Sequence, residues 1–175
     1  MNILPIRDVS GEIALIPCPG RAGRGGTPRA DLEPLHSWGA AWLVTLMESH
    51  ELAFFGLEDL GLHARSAGLA WLHAPIADFA APGAEFERVW ARRGNEVQDH
   101  LRDGGRVAIH CLAGLGRTGT VAARILIELG YAPDEAVASV RAVRPGAIQS
   151  HDQLDYVMNR RWRHPNRTEG GIEDG

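Results

Sequence analysis

The stretch from Arg106 to Gly130 constrains the fold of this chain more than any other. Arg106-Val107-Ala108-Ile109 is short, apolar and partly β-branched, the pattern of a buried strand. His110 to Gly119 then reads His-Cys-Leu-Ala-Gly-Leu-Gly-Arg-Thr-Gly, with glycines at 114, 116 and 119 that permit tight turns. Beyond Arg117, apolar residues recur at Val121, Ile125, Leu126 and Leu129 with helical spacing, and Gly130 supplies a stop. A strand feeding a glycine loop and a helix N-terminus is a ready anion site. The amides of Leu112, Ala113, Gly114, Leu115 and Gly116 can converge into a nest. The helix start adds partial positive charge. Arg117 adds a planar fork able to grip two oxygens. Cys111 lies in the same field. A free thiol titrates near ~8.5, and beside a helix N-terminus and a cation it falls to roughly 3.5–7.5. The expectation is a thiolate nucleophile at Cys111; the alternative is an inert buried cysteine at a strand end. No Gly-Lys-Ser/Thr follows, so the loop is not of the nucleoside-triphosphate type.

His-Cys-x5-Arg-Thr-Gly resembles the signature of the cysteine-dependent protein tyrosine and dual-specificity phosphatases. Pro19-Gly20, Asp31-Leu32, His73-Ala74-Pro75-Ile76-Ala77-Asp78 and Gly146-Ala147-Ile148-Gln149 extend the likeness, in the same order, to the kinase-associated phosphatase (cyclin-dependent kinase inhibitor 3) group. The resemblance covers roughly residues 10–160. It implies an α/β, single-domain phosphotyrosine-phosphatase-like fold, with a central, mostly parallel sheet flanked by helices. It implies hydrolysis of phosphotyrosine, and of phosphoserine or phosphothreonine, through a phosphocysteine intermediate. It also implies site residues: Cys111 as nucleophile, Arg117 as phosphate clamp, Asp78 as general acid and Gln149 as the group that positions water.

Chemistry asks for the same partners. An alkoxide leaves poorly without a proton donor. Asp78 follows a strand and precedes Pro82-Gly83 in a loop, so it is the candidate acid, with Glu85 next in line; a solvated, helix-capping Asp is the bland reading. Thr118 can bond the leaving sulfur or simply satisfy a helix-start amide. Gln149 is either the water-positioning group or a cap residue, and Gln153 is a weaker second candidate. His110 is expected to brace the loop rather than act as a base. No histidine pair or Cys/His spacing suits a metal, and no cofactor is required.

Alternating patterns elsewhere argue for helices on both faces of a parallel or mixed sheet. Strands are expected at 12–17, 41–47, 69–76 and 106–109. Helices are expected at 31–39, capped by Asp31, and at 57–67, 85–101, 117–129, 133–143 and 153–162. Residues 19–28 read as a loop and 165–175 as a disordered tail, leaving a catalytic domain at 1–164.

Composition sets outer limits. A chain of 175 residues with 45% hydrophobic and 23% charged residues suits one globular domain. A net charge of −4 offers no general attraction for nucleic acid. All 18 basic residues are arginine, as a GC-rich genome would give. Cys18 and Cys111 are the two cysteines. A nucleophilic thiol must stay reduced, so a cytoplasmic monomer is expected; Cys18 is read as a small core-edge residue, with a disulfide to oxidised Cys111 as the alternative. Neither a secretion signal nor a membrane span is read. The neutral side chains at 112, 113 and 115 argue against a highly phosphorylated inositol. The expected partner is therefore a phosphorylated protein; the cyclin-dependent kinase implied by the group's name is not carried over. Arg21, Arg24 and Arg29 are a candidate basic rim, with a solvated loop as the favoured reading, and Phe79 and Trp38 are candidate pocket walls, with core packing as the usual role of a lone aromatic. The weighed alternatives are a phosphoprotein-binding pseudophosphatase, a lipid or small-molecule phosphomonoesterase, and a rhodanese-like sulfurtransferase, which would need neither Asp78 nor Thr118.

Overall fold

Strands β1 (Asn2–Pro5), β2 (Glu12–Ile16), β3 (Ala40–Thr45), β4 (Ala70–His73) and β5 (Arg106–His110) form one sheet in the spatial order β1-β2-β5-β3-β4. The computed structural model describes residues 1–21 and 27–163. Four strands run parallel and β1 alone pairs antiparallel, against β2. His110, the last residue of β5, is in register with Ile16 on one side and Thr45 on the other. The chain therefore leaves β2, β3 and β5 at one edge, the end where open α/β sheets place ligands.

Side-chain alternation divides the core. Ile13, Leu15, Val44, Leu72, Val107 and Ile109 face one way. They pack against α4 (Ala84–Arg102), α5 (Gly116–Glu128), α6 (Pro133–Val143) and α7 (His151–Met158). Ala14, Ile16, Leu43 and Ala108 face the other way, toward α1 (Pro28–Trp38), α2 (Ser49–Phe54) and α3 (Leu60–Ser66). Burial of β5 on both faces explains why it reads as a continuous apolar run. The expected α/β fold with a central, mostly parallel sheet is the one observed.

Several boundaries differ from expectation, each for a local reason. Helix α1 begins at Pro28, not Asp31: the Thr27 side chain accepts from the Ala30 amide and Pro28 fills the first turn. Asp31 instead accepts from Gly20 N–H at 2.7 Å, which pins the turn after β2. Helix α3 begins at Leu60 rather than 57, after a turn closed by Leu60 N–H to Leu57 O. Strand β4 stops at His73; Pro75 has no N–H to give a ladder, and only Ala74 and Ile76 bond on to Thr45 and Leu46. Helix α7 starts at His151 under a Ser150/Gln153 capping box and ends at Met158, with Trp162 in a separate 3-10 turn, Arg161–Arg163. Two elements were not expected at all, β1 and α2. The tail expected at 165–175 lies outside the described residues. Among the described residues no helix is long and apolar enough to cross a membrane.

One buried charge ties three helices together on the α4–α7 face. Arg124 of α5 donates to Glu87 of α4 at 2.8 Å and to Glu128 at 2.9 Å, and bonds the hydroxyl of Tyr156 in α7. The rings of Phe86, Trp90 and Trp162 surround its guanidinium at 5.0–5.8 Å. Glu87, in the first turn of α4, serves mainly this ion pair.

Gly114 shows how tightly the edge of the sheet is built. It holds φ +69°, and a Cβ there would sit 2.3 Å from the Ile16 carbonyl oxygen. Backbone strain and a clash with β2 then act together. Gly114→Ala is expected to lower unfolding free energy by at least about 2 kcal/mol; a urea melt with an unchanged midpoint would contradict this packing.

Candidate active site

The segment from Cys111 to Gly116 connects β5 to α5, and its backbone polarity is fully sorted. Cys111 O faces His110 Nδ1 at 3.3 Å. Leu112 O accepts from Cys18 N–H at 3.2 Å. Ala113 O and Gly114 O accept from Arg144 at 2.9 and 3.1 Å. Leu115 O accepts from Gly119 N–H at 2.9 Å, and Gly116 O from the Thr120 hydroxyl at 2.8 Å. Every carbonyl of the loop is thus taken from outside. By contrast, among the described residues no protein acceptor meets the amides of residues 112–117. A trans peptide points its N–H opposite to its C=O. The loop is therefore a concave row of free donors at a helix N-terminus.

Arg117 closes the cup, but its fork is not free as the sequence suggested. The side chain is 1% exposed. Its Nη1 and Nη2 bond the two Glu51 carboxylate oxygens at 2.6 and 3.0 Å. Nη1 also donates to Ile76 O at 3.0 Å, and Nη2 lies 3.1 Å from Asp78 Oδ1. Among the described residues only Nε finds no partner, and it is buried. The Thr118 hydroxyl is likewise buried without a partner. Both atoms sit in the first turn of α5, directly after the loop, and each has hydrogen-bonding capacity to spare. Burial opposes the charge on Arg117, yet the Glu51 hydrogen bonds and the neighbouring Cys111 and Asp78 raise its pKa further. For Glu51, burial works against ionisation, and the bonds from Arg117 and from the Glu48 amide outweigh it, so its carboxyl lies below the ordinary value.

Glu51 is the site residue that sequence reading missed. The signal present was local: Glu48 and Glu51 form a capping box that starts α2, with Glu48 N–H on Glu51 Oε2 at 2.8 Å. Nothing in it announces a partner in α5.

The other expected residues fall into place unevenly. Asp78 is at the cup, half-exposed, and its Oδ1 also accepts from Phe79 N–H at 3.1 Å. Phe79 is 61% exposed beside it, at φ +57°. Glu85 lies in the exposed first turn of α4 and makes no contact with Arg117. Gln149 is exposed, with its Oε1 close enough to Gly116 to block a Cβ there at 2.9 Å. Gln153 is fully buried and acts as a tie. It donates to Ala80 O at 3.1 Å and accepts from the amides of Gln149 and Ser150 at 3.0 and 3.3 Å. Next to it Asp152 accepts from Ala81 N–H at 2.9 Å. Helix α7 thereby holds both the Asp78 loop and the Gln149 turn.

The candidate rim and wall groups are dispersed. Trp38 lies under Arg106, at the opposite end of β5, so it cannot wall the cup. Arg29 pairs with Glu33 on the exposed face of α1. Arg21 stacks over Phe55 at 5.0 Å, and Arg24 lies outside the described residues. Cys18 is a buried free thiol whose pKa burial pushes up to about 12. It stays protonated at neutral pH, in line with its reading as a core-edge residue.

His110 braces the loop as expected. Trp71 Nε1 donates to Thr45 Oγ1 at 2.8 Å, and Thr45 Oγ1 lies 2.8 Å from His110 Nε2. With the hydroxyl donating to Nε2, the ring proton sits on Nδ1, facing Cys111 O. Complete burial holds this imidazole down to about 4 from 6.5.

Comparison with known proteins bears on the family and the fold. The model of the family described as "Polymorphic toxin system, DSP-PTPase phosphatase" matches residues 18–131. The chain belongs to this family. Cyclin-dependent kinase inhibitor 3 of Rattus norvegicus is 32% identical over 130 residues, covering 73% of this chain and 60% of that protein. The tyrosine-protein phosphatase CDC14 of Candida albicans is 38% identical over 69 residues, 37% of this chain and 13% of that one. The chain thus spans little more than half of the one relative and a small part of the other. Among solved structures, kinase-associated phosphatase with its catalytic-site cysteine replaced by serine superposes with a TM-score of 0.74 at 26% identity, over 90% of this chain and 88% of that one. Tk-PTP in its active form gives 0.67 at 26% identity, over 93% and 97%.

The His110 shift predicts a pH effect on stability. Its folded pKa is depressed, so between about 6.5 and 4 the unfolded chain binds the extra proton. The stabilisation is complete above 6.5 and is lost as pH falls toward 4, about 3 kcal/mol in all. Urea midpoints should fall between pH 7 and 5 in the wild type, and His110→Gln should flatten that slope. Equal slopes in the two proteins would place the effect elsewhere.

Proposed function

We propose that this protein is a cysteine-dependent protein phosphatase that hydrolyses phosphotyrosine, and also phosphoserine and phosphothreonine, through a phosphocysteine intermediate. The observation that carries the reading is the sorted loop: six carbonyls held from outside, and the amides of residues 112–117 free above Cys111. The phosphoryl oxygens bond these amides and Arg117 Nε, which places phosphorus over the Cys111 sulfur. Arg117 meets the anion with Nε while Glu51 holds the rest of its fork rigid. A preset donor array costs no reorganisation as charge builds up on the phosphoryl oxygens.

In the first step the Cys111 thiolate attacks phosphorus, the P–O ester bond breaks, and the leaving oxygen takes a proton from Asp78. In the second, water attacks the phosphocysteine, the P–S bond breaks, and Asp78 recovers the proton from that water. Gln149, beside Gly116, orients the water. The Thr118 hydroxyl, buried and otherwise unpaired, donates to the departing sulfur. The protein is proposed to work as a reduced, cytoplasmic monomer, with a catalytic domain spanning residues 1–164.

Cys111→Ser should leave a folded protein with essentially no turnover of para-nitrophenyl phosphate, because an alcohol is not ionised there. More than a few per cent of wild-type turnover would sink the mechanism. Asp78→Asn should slow alkyl and weakly activated phosphates far more than aryl esters with good leaving groups, which depart with little help. A uniform loss across a leaving-group series would move the acid role away from Asp78. Phosphopeptide panels run beside inositol phosphates would then separate protein from lipid substrates.

A further inference from the structure

Arg144 stands at the C-terminal end of α6, and the chemistry above makes no use of it. Its guanidinium is spent on three acceptors. Nη2 donates to Ala113 O at 2.9 Å, Nε to Gly114 O at 3.1 Å and Nη1 to Asn2 Oδ1 at 3.1 Å. Asn2, in the edge strand β1, returns a hydrogen bond from Nδ2 to Val143 O at 2.7 Å.

The other loop carbonyls are held by donors from the loop's own ends or from the turn after β2: His110, Cys18, Gly119 and Thr120. The middle of the loop, at Ala113 and Gly114, has no such anchor, and Gly114 and Gly116 leave it conformationally free. In extended chain, successive carbonyls face opposite sides. Here two in a row face one guanidinium, a reversal that Gly114 permits with φ +69°. Because each peptide is trans, the N–H groups of Gly114 and Leu115 must then both face away from Arg144, into the cup. Bonds from a cation also polarise those two peptides.

We propose that Arg144 is a positioning residue of the phosphate cup: with Asn2 as its buttress, it fixes from behind the two amides that the loop cannot orient by itself. This rests on the phosphatase reading above. A lysine has the charge but not the rigid fork that spans two carbonyls.

The test compares Arg144→Ala and Arg144→Lys with Arg141→Ala. Arg141 belongs to the same helix but donates to Ala147 O and Ile148 O, away from the loop carbonyls. Kd for orthovanadate and orthophosphate is measured by calorimetry, and KM and kcat on para-nitrophenyl phosphate, all below the melting range of each protein. Arg144→Ala should weaken both anions tenfold or more and raise KM in parallel. Arg144→Lys should recover only a minor part, and Arg141→Ala should leave both anion Kd values within twofold of wild type. If Arg144→Ala fails to fold, Asn2→Ala, which removes the buttress alone, should still weaken vanadate about threefold. A wild type that binds neither anion would overturn the phosphatase reading itself. A wild type that binds, with Arg144→Ala binding equally well, would overturn the role of Arg144 alone. So would full rescue by lysine, equal anion weakening in Arg141→Ala, or an unchanged Kd in Asn2→Ala where that is the variant that folds.

Discussion

A guanidinium buried to 1% exposure at the centre of the site has to be paired, and the pairing of Arg117 with Glu51 organises what surrounds it. Truncating one partner of such a buried pair typically costs about 3–5 kcal/mol, because the other charge is left stranded. The pair joins the first turn of α5 to α2, and so brings the segment after β3 against the segment after β5. The same guanidinium bonds Ile76 O and approaches Asp78, which fixes the segment after β4. Three segments that leave the sheet at one edge therefore meet on one cation. The parallel topology makes this meeting possible, since these strands all end at the same edge.

One cation carries two carboxylates at this site. Glu51 neutralises the two Nη groups from the rear, and Asp78 approaches one of them from the solvent side. The forward Nε and the loop amides are left without protein acceptors among the described residues. The proposed chemistry calls for both features: fixed dipoles to hold the anion, and a counter-charge that keeps the arginine oriented when the anion has gone.

What the sequence disclosed follows the range of the interactions. The β5–loop–α5 unit was legible because all its determinants lie within one continuous stretch: β-branched run, glycines, helical periodicity. Asp78 was singled out by its place in a loop after a strand as well as by the resemblance, and Gln149 by the resemblance alone. Glu51 and Arg144 were not legible. Each acts through partners far away in the chain, and a lone Glu in a capping box or a lone Arg before Pro145 looks like many others. Helix α2 was lost because six residues give too little periodicity to read. Strand β1 was lost because only Leu4 of its four residues is fully buried. Boundaries moved where polar side chains decided them, as at Thr27 and Ser150, against the apolar pattern.

Helix α7 has a consequence that reaches beyond its size. Gln153 holds Ala80 of the Asp78 loop with one end of its amide and the Gln149 backbone with the other, while Asp152 holds Ala81. The group proposed to protonate the leaving oxygen and the group proposed to aim water at the intermediate hang from one side chain. A displacement of either is transmitted to the other. The two half-reactions are therefore not separately adjustable: substitutions in this helix will show strong epistasis between formation and breakdown of the intermediate. Evolution of a new substrate range in such a scaffold is cheaper at the exposed rim, around Phe79, than at the latch.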